Sequence, residues 1–243
     1  MKPVNALIVG TGLLAMSCVF SSAAYAASNP CGNPFSNHFG PYDYRTAAPD
    51  VKNIVERSHF LPQVESLTRG ISGPLGQEIS YTLEVFPNHP RALLAFAKLA
   101  EKVKSPKPEG ATQTLECWFD RAIRFAPDDS NVRMVFGVVL LRQGLKDKAI
   151  QQLELAARLG SESANLHYNL GLAFFDVGQH DKALAHAHKA YAMGWDLPGL
   201  KGKLTKAGKW RDPVAAKPVE GEASGAGAAA AAAPSDSKPL APK

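Results

Sequence analysis

Between Ser130 and Leu197 the chain repeats itself at a fixed step of 34 residues, and no other feature limits its fold as tightly. Gly137 answers to Gly171, Gly144 to Gly178, Ala149 to Ala183 and Ala156 to Ala190. Self-similarity at a fixed period belongs to stacked repeats, in which one supersecondary unit cannot bury its apolar face alone. Phe136-Gly137 with Leu140, and Leu170-Gly171 with Phe174, have the three- and four-residue spacings of a helical face. Gly144 and Gly178 fall where the chain must turn, and glycine accepts the positive φ common at a helix C-terminus. Lys146-Asp147-Lys148 and Gln179-His180-Asp181 then open a second helix. Its Ala149, Leu153 and Ala156, or Ala183, Ala187 and Ala190, face back onto the first.

This spacing resembles the tetratricopeptide repeat, a helix–turn–helix unit. The resemblance extends upstream. Leu115, Phe119, Ala122 and Pro127 follow the second-helix pattern, and Pro90–Lys102 supplies its first helix, with Ala97 in the place of Gly137. The longer link between them carries Ser105-Pro106-Lys107-Pro108-Glu109-Gly110, a loop insertion. Tyr81–Pro87 parallels Arg121–Pro127, which suggests a degenerate unit further forward. The expected fold is all-α: a right-handed helical solenoid of three to four helix hairpins. The repeats span 90–129, 130–163 and 164–197, with capping helices at 50–89 and 198–212. The resemblance implies a binding or scaffold module, not an enzyme, with no cofactor.

At the front, residues 1–26 read as a secretory signal peptide. Lys2 precedes an apolar stretch, Ala6–Phe20, and Ala24-Tyr25-Ala26 is an A-x-A cleavage signal. The formal charge of +5 becomes +4 once Lys2 leaves. That mild charge, without Arg/Lys runs among aromatics, argues against nucleic acid as a partner. Two of the three cysteines remain, Cys31 and Cys117. An exported chain with an even count invites a disulfide; a buried free Cys117 acting as a small apolar residue is the alternative.

Residues 27–49 form an irregular arm rich in Pro and Gly. Its aromatic content, Phe35, Phe39, Tyr42 and Tyr44, predicts packing onto the repeats. Asp50 is the expected N-cap of a helix over Val51–Phe60, Pro62 starts a short helix over Gln63–Thr68, and Gly70, Gly73 and Gly76 make a flexible joint. Leu200, Leu204 and Ala207 share the inner face of a basic capping helix that Trp210 closes. From Pro213 the composition shifts to Ala, Gly, Ser and Pro, read as a disordered tail at 213–243.

Catalytic and metal signals are missing from the sequence. There is no His-Glu-x-x-His, no Cys-x-x-Cys, no Gly-x-Ser-x-Gly and no phosphate-binding glycine loop. His180, His186 and His188 do not share a helical face and read as exposed, solvated side chains. The remaining surface is the groove lined by the first helices. By register it holds Asn131, Met134, Val138, Leu141 and Arg142, then Asn165, Tyr168, Asn169, Leu172 and Phe175. An earlier stretch offers Arg91, Leu94, Lys98 and Lys102. Apolar groups beside Asn and Arg suit an extended peptide or a partner helix. The expected role is an exported scaffold of the bacterial envelope, in the periplasm, with a protein or peptide partner. Two alternatives stand beside it: a permanent accessory subunit of an envelope complex, and a small-ligand or catalytic pocket built by the arm from Tyr42, Tyr44, Arg45 and His59.

Overall fold

The computed structural model describes residues 29–213; the expected leader at 1–26 and the tail from 214 onward lie outside the described residues. Among the described residues there are ten helices and no strand. They are α1 (Pro49–His59), α2 (Pro62–Glu65), α3 (Leu75–Val85), α4 (Pro90–Val103), α5 (Leu115–Phe125), α6 (Ser130–Arg142), α7 (Lys146–Arg158), α8 (Ala164–Asp176), α9 (His180–Ala192) and α10 (Gly199–Lys206). α4/α5, α6/α7 and α8/α9 are successive hairpins. Their first helices, α4, α6 and α8, touch one another in turn and line one face of the stack.

The hairpins close where a side chain is missing. A Cβ on Gly137 would lie 2.6 Å from Leu153 Cγ and 3.2 Å from the Ala149 carbonyl oxygen. At the corresponding Gly171 it would lie 2.3 Å from Leu200 Cδ2 and 3.3 Å from the Ala183 carbonyl oxygen. Ala187 stands where Leu153 stands one repeat earlier, and Leu200 of α10 fills the space. Turn chemistry repeats with the same period. Leu145 N–H donates to Leu140 and Gly144 N–H to Leu141; Gln179 N–H donates to Phe174 and Gly178 N–H to Phe175. Gly144 and Gly178 have φ of +77° and +79°. These are Schellman closures that satisfy the last carbonyls of α6 and α8. The first hairpin makes the same turn without glycine: Lys104 takes φ +53°, and Ser105 N–H donates to Ala100.

The front of the stack departs from expectation at two points. α1 starts at Pro49, with Ala48 as its N-cap, so Asp50 lies in the first turn and caps nothing. The glycine segment is not a loose joint. The N–H groups of Ile71, Ser72 and Gly73 and the Ser72 hydroxyl all donate to Glu78 Oε1, at 2.6–3.1 Å. Glu78 is 1% exposed, and its other oxygen meets His59 Nδ1 at 2.8 Å. The segment is folded round a buried carboxylate.

The arm packs as its aromatics predict, but along the second helices and the turns, away from the α4–α6–α8 face. Cys31 and Cys117 are joined, with Sγ–Sγ 2.08 Å and a separation of 86 residues. On chain entropy alone, closing such a loop contributes about 4–5 kcal/mol. Arg121 donates to the Cys31 and Asn33 carbonyls, and Phe35 packs on Phe125 at 5.6 Å. Further on, Tyr42 N–H donates to the Val85 carbonyl at 2.8 Å. The arm then crosses two equivalent turns, Phe86–His89 and Ala126–Asp129. Buried Asn88 links them: its Nδ2 donates to Asp43 at 2.7 Å and to Asp129 at 2.8 Å, and its Oδ1 accepts Tyr44 N–H at 2.9 Å. Arg45 bridges Asp43 and Asp128 and lies 3.7 Å from Asp129.

Gly144→Ala meets open space, so its cost is conformational, roughly 1–2 kcal/mol for a left-handed residue. Gly137→Ala gains about 1 kcal/mol of helix propensity but collides with Leu153, and net destabilisation is expected. In a Leu153→Ala background the leucine collision is gone and only the 3.2 Å approach to the Ala149 carbonyl remains, so Gly137→Ala should cost much less, as urea melts would measure. A cost unchanged by Leu153→Ala would place the conflict elsewhere. Asn88→Asp replaces two donated bonds with a third carboxylate between Asp43 and Asp129, a loss of about 2–3 kcal/mol or more. Asn88→Asp melting like the parent would show that the seam carries little stability.

Candidate functional site

The α4–α6–α8 face is open only in part. In its α8 section Tyr168 is 3% exposed, Asn169 1% and Leu172 3%, and in α6 Val138 is 8% exposed. These four do not line an open groove, which corrects the register reading. α10 folds back over α8, and the loop before it brings Trp195 onto Tyr168 with ring centroids 4.9 Å apart. Lys203 pairs with Asp176 at 3.1 Å and lies over the Phe175 ring at 5.4 Å. Asn169 Nδ2 is spent on Asn165, at 2.6 Å to the side-chain oxygen and 2.9 Å to the carbonyl. Met134 and Leu141 are half-buried against the same core, and Asn131 is exposed at the start of α6.

The face opens between α4 and α6. A cleft of about 320 Å³ lies there. Its floor is Leu94, Ala97, Leu115 and Val139; Lys98, Lys104 and Arg142 are the cations at its edge, and Ser105-Pro106 of the loop insertion forms one wall. Leu94, Lys98 and Arg142 were expected on this face from register. The other two members of the earlier stretch are engaged elsewhere: Arg91 Nε donates to Glu65 at 2.8 Å, and Lys102 Nζ to the Leu67 carbonyl at 3.2 Å. Arg142 is held by Glu101 through contacts of 2.6 and 3.1 Å. Lys98 has no ion-pair or hydrogen-bond partner among the described residues. Burial, and then Arg142, push its ammonium below the usual lysine range, with Glu65 pulling the other way. An unpaired, half-buried cation over an apolar floor is arranged to receive an anion whose neighbours are apolar. The wall supplied by Pro106 was missed as a site feature, although the insertion was legible.

The arm residues do not converge on a pocket of their own. Tyr44 donates to Glu56 at 2.7 Å, and Glu56 also meets His89 Nε2 at 3.3 Å. His89 Nδ1 accepts Ala92 N–H at 3.2 Å, so its proton sits on Nε2 and the ring is neutral. Burial holds the His89 pKa down. The His89 and Tyr44 hydrogen bonds hold Glu56 at about 2, against the pull of burial. Arg45 holds Asp43 at about 2 in the same way. Tyr44, Arg45 and His59 are therefore engaged with the chain's own groups, and Glu56 pairs with His89 rather than with the neighbouring His59.

The histidines of α9 also differ from expectation. His188 Nε2 contacts the Arg211 carbonyl at 2.8 Å, edge-on to Trp210. His186 is half-buried, not solvated. Its Nδ1 lies 3.0 Å from His167 Nδ1, and His167 Nε2 lies 2.8 Å from Glu162. The pairing spans 19 residues between two helices, so helical-face arithmetic within α9 could not find it. Burial, then the neighbouring His167 and Lys189, lower the His186 pKa to about 4.

A group whose folded pKa is depressed below 6.5 stabilises the fold fully above pH 6.5. That contribution is lost as pH falls toward about 4, because the unfolded chain then binds more protons. Asp43 and Glu56, depressed to about 2 from 3.8 and 4.5, lose theirs only below those ordinary values. Melting temperature should therefore decline in two stages, the first starting near pH 6.5. His186→Gln should shrink the first stage, the remainder coming from buried His89, and leave the second. A single stage starting below pH 4.5 would sink this assignment.

No family model and no curated protein matches the chain. Among solved structures it is similar to a crystal structure of MamA, at 20% sequence identity over 56% of this chain and 78% of that one, with a TM-score of 0.41. A mutant form of MamA aligns at 18% identity over 63% and 81% of the two chains, with a TM-score of 0.40. No helix among the described residues is long and apolar enough to cross a membrane.

Proposed function

We propose that the chain is an exported, tetratricopeptide-like scaffold of the bacterial envelope that holds a segment of another protein in the α4–α6 cleft, without turnover. One observation carries the reading: Lys98, without a partner among the described residues, stands at the edge of an apolar floor, beside an Arg142 already engaged by Glu101. A partner segment with an aliphatic side chain next to a carboxylate meets both demands. The floor takes the aliphatic group, and Lys98 takes the anion in a site poorer in water than the surface. The periplasmic placement is supported by the Cys31–Cys117 disulfide, a bond of oxidising compartments, and by the leader-like composition of residues 1–26.

The test is capture from periplasmic extract with the parent chain, Lys98→Glu and Leu94→Asp, each checked by circular dichroism for intact helix content. Both variants should lose the captured partner by ten-fold or more, about 1.4 kcal/mol. Equal capture by parent and variants removes the cleft from the account. The processed chain should also be found in the periplasmic fraction with a mass lacking residues 1–26; an unprocessed cytoplasmic chain would overturn the placement.

A further inference from the structure

A second cleft, of about 540 Å³, lies at the opposite end of the stack, between the end of α9 and the segment after α10. Its walls are aromatic: Tyr191, Trp195 and Trp210. Trp210 stands edge-on to Tyr191 with centroids 6.0 Å apart, and Lys201 lies over its ring at 4.9 Å. Two carboxylates edge the cleft. Asp212 accepts the Trp210 indole N–H at 3.0 Å, and Asp196 has no hydrogen-bond or ion-pair partner among the described residues. Pro213, the last described residue, lines the same cleft, so the remaining chain leaves from its mouth.

That remaining chain carries Lys238-Pro239-Leu240-Ala241-Pro242-Lys243. Prolines three apart are the spacing that aromatic-walled grooves recognise, and proline's fixed φ leaves little ordering entropy to lose on binding. Clefts walled by aromatic rings take such prolines between the rings, and acidic groups beside them select a flanking cation. Lys238 and Lys243 flank the two prolines with no acid between them and would pair with Asp196 and Asp212, Lys201 of the same cleft staying over the Trp210 ring. Reach is not limiting. The link from Pro213 to Pro239 could span up to roughly 85 Å. Tethering would supply an effective concentration on the order of millimolar.

From these observations we infer that the aromatic cleft is a docking site for the chain's own Pro239–Pro242 segment, held by ring packing and by lysine–aspartate pairing. The segment would act as a tethered ligand of this cleft, displaceable by a competing proline-rich, lysine-flanked peptide. The inference is independent of the α4–α6 cleft.

The three tryptophans make the test direct. In the nitrogen-15-labelled full chain, the indole N–H signals of Trp195 and Trp210 should differ from those of a chain ending at Pro213. The signal of Trp118, buried between α4 and α5, should stay put and so reports that the fold is intact. Pro239→Ser/Pro242→Ser in the full chain should move the Trp195 and Trp210 signals to the truncated positions. A synthetic peptide of residues 234–243 added to the truncated chain should move them back. Identical spectra for full and truncated chains would overturn the proposal. So would a shift that survives the double proline variant, or one that depends on protein concentration, which would mean a second copy supplies the segment. If Trp118 moves on truncation, the proline variant in the full chain decides alone.

Discussion

The stack depends on two helix backbones approaching more closely than side chains normally permit. At Gly137 and Gly171 the space a Cβ would need is already taken by a leucine. The leucines have different origins. In the α6/α7 hairpin it is Leu153, from the hairpin's own second helix. In the α8/α9 hairpin the matching position is Ala187, too small to fill the gap, and Leu200 enters from α10. The terminal helix is therefore part of the last hairpin's core. Its Leu200 and Leu204 are fully buried, while its lysines stay outside.

Features that depend on short sequence separations were legible. Glycine at a helix end and alanine at a helix contact are local requirements, so they recur visibly at 34 residues. The first hairpin was harder because Lys104 adopts the left-handed turn that glycine takes in the later repeats. The polar seam at the front was not legible at all. Asn88 joins residues 45 and 41 positions away, and Glu56 meets a histidine 33 positions on. Each of these partners is a single ordinary residue, and nothing local distinguishes it. Glu78 is similar: its donors are backbone N–H groups, which leave no trace in composition.

Register says that Tyr168, Asn169, Leu172 and Val138 lie on the face of the first helices, but the structure buries all four. Heptad-like arithmetic says which way Tyr168 and Leu172 point and is silent on what lies above them. A basic helix follows the last repeat; its Leu200 and Leu204 are buried in the α8 core, and Lys203 lies over Phe175 and pairs with Asp176. Leu94, Lys98 and Arg142, by contrast, face a stretch where the chain departs through an insertion instead of crossing over. The insertion forms a wall and leaves the floor open. A departure from the repeat thus marks the cleft better than the repeat does.

The two ends of the stack are closed by different physics, and that difference gives the middle its character. At the front, a disulfide and a chain of hydrogen-bonded charges bind the arm across two successive turns, Phe86–His89 and Ala126–Asp129. This locks α3, α4 and α5 together from the side away from the cleft. At the back, burial of Leu200 and Leu204, with lysine over aromatic rings, seals α8 and α9. Between them, α4 and α6 meet without a covalent bond, and across the cleft mouth by the exposed Arg142–Glu101 pair, which is worth little by itself. A segment entering there, as proposed, would meet a floor packed between these two closed ends. The ordering entropy of that floor is already met by folding, and the incoming segment has only its own to lose.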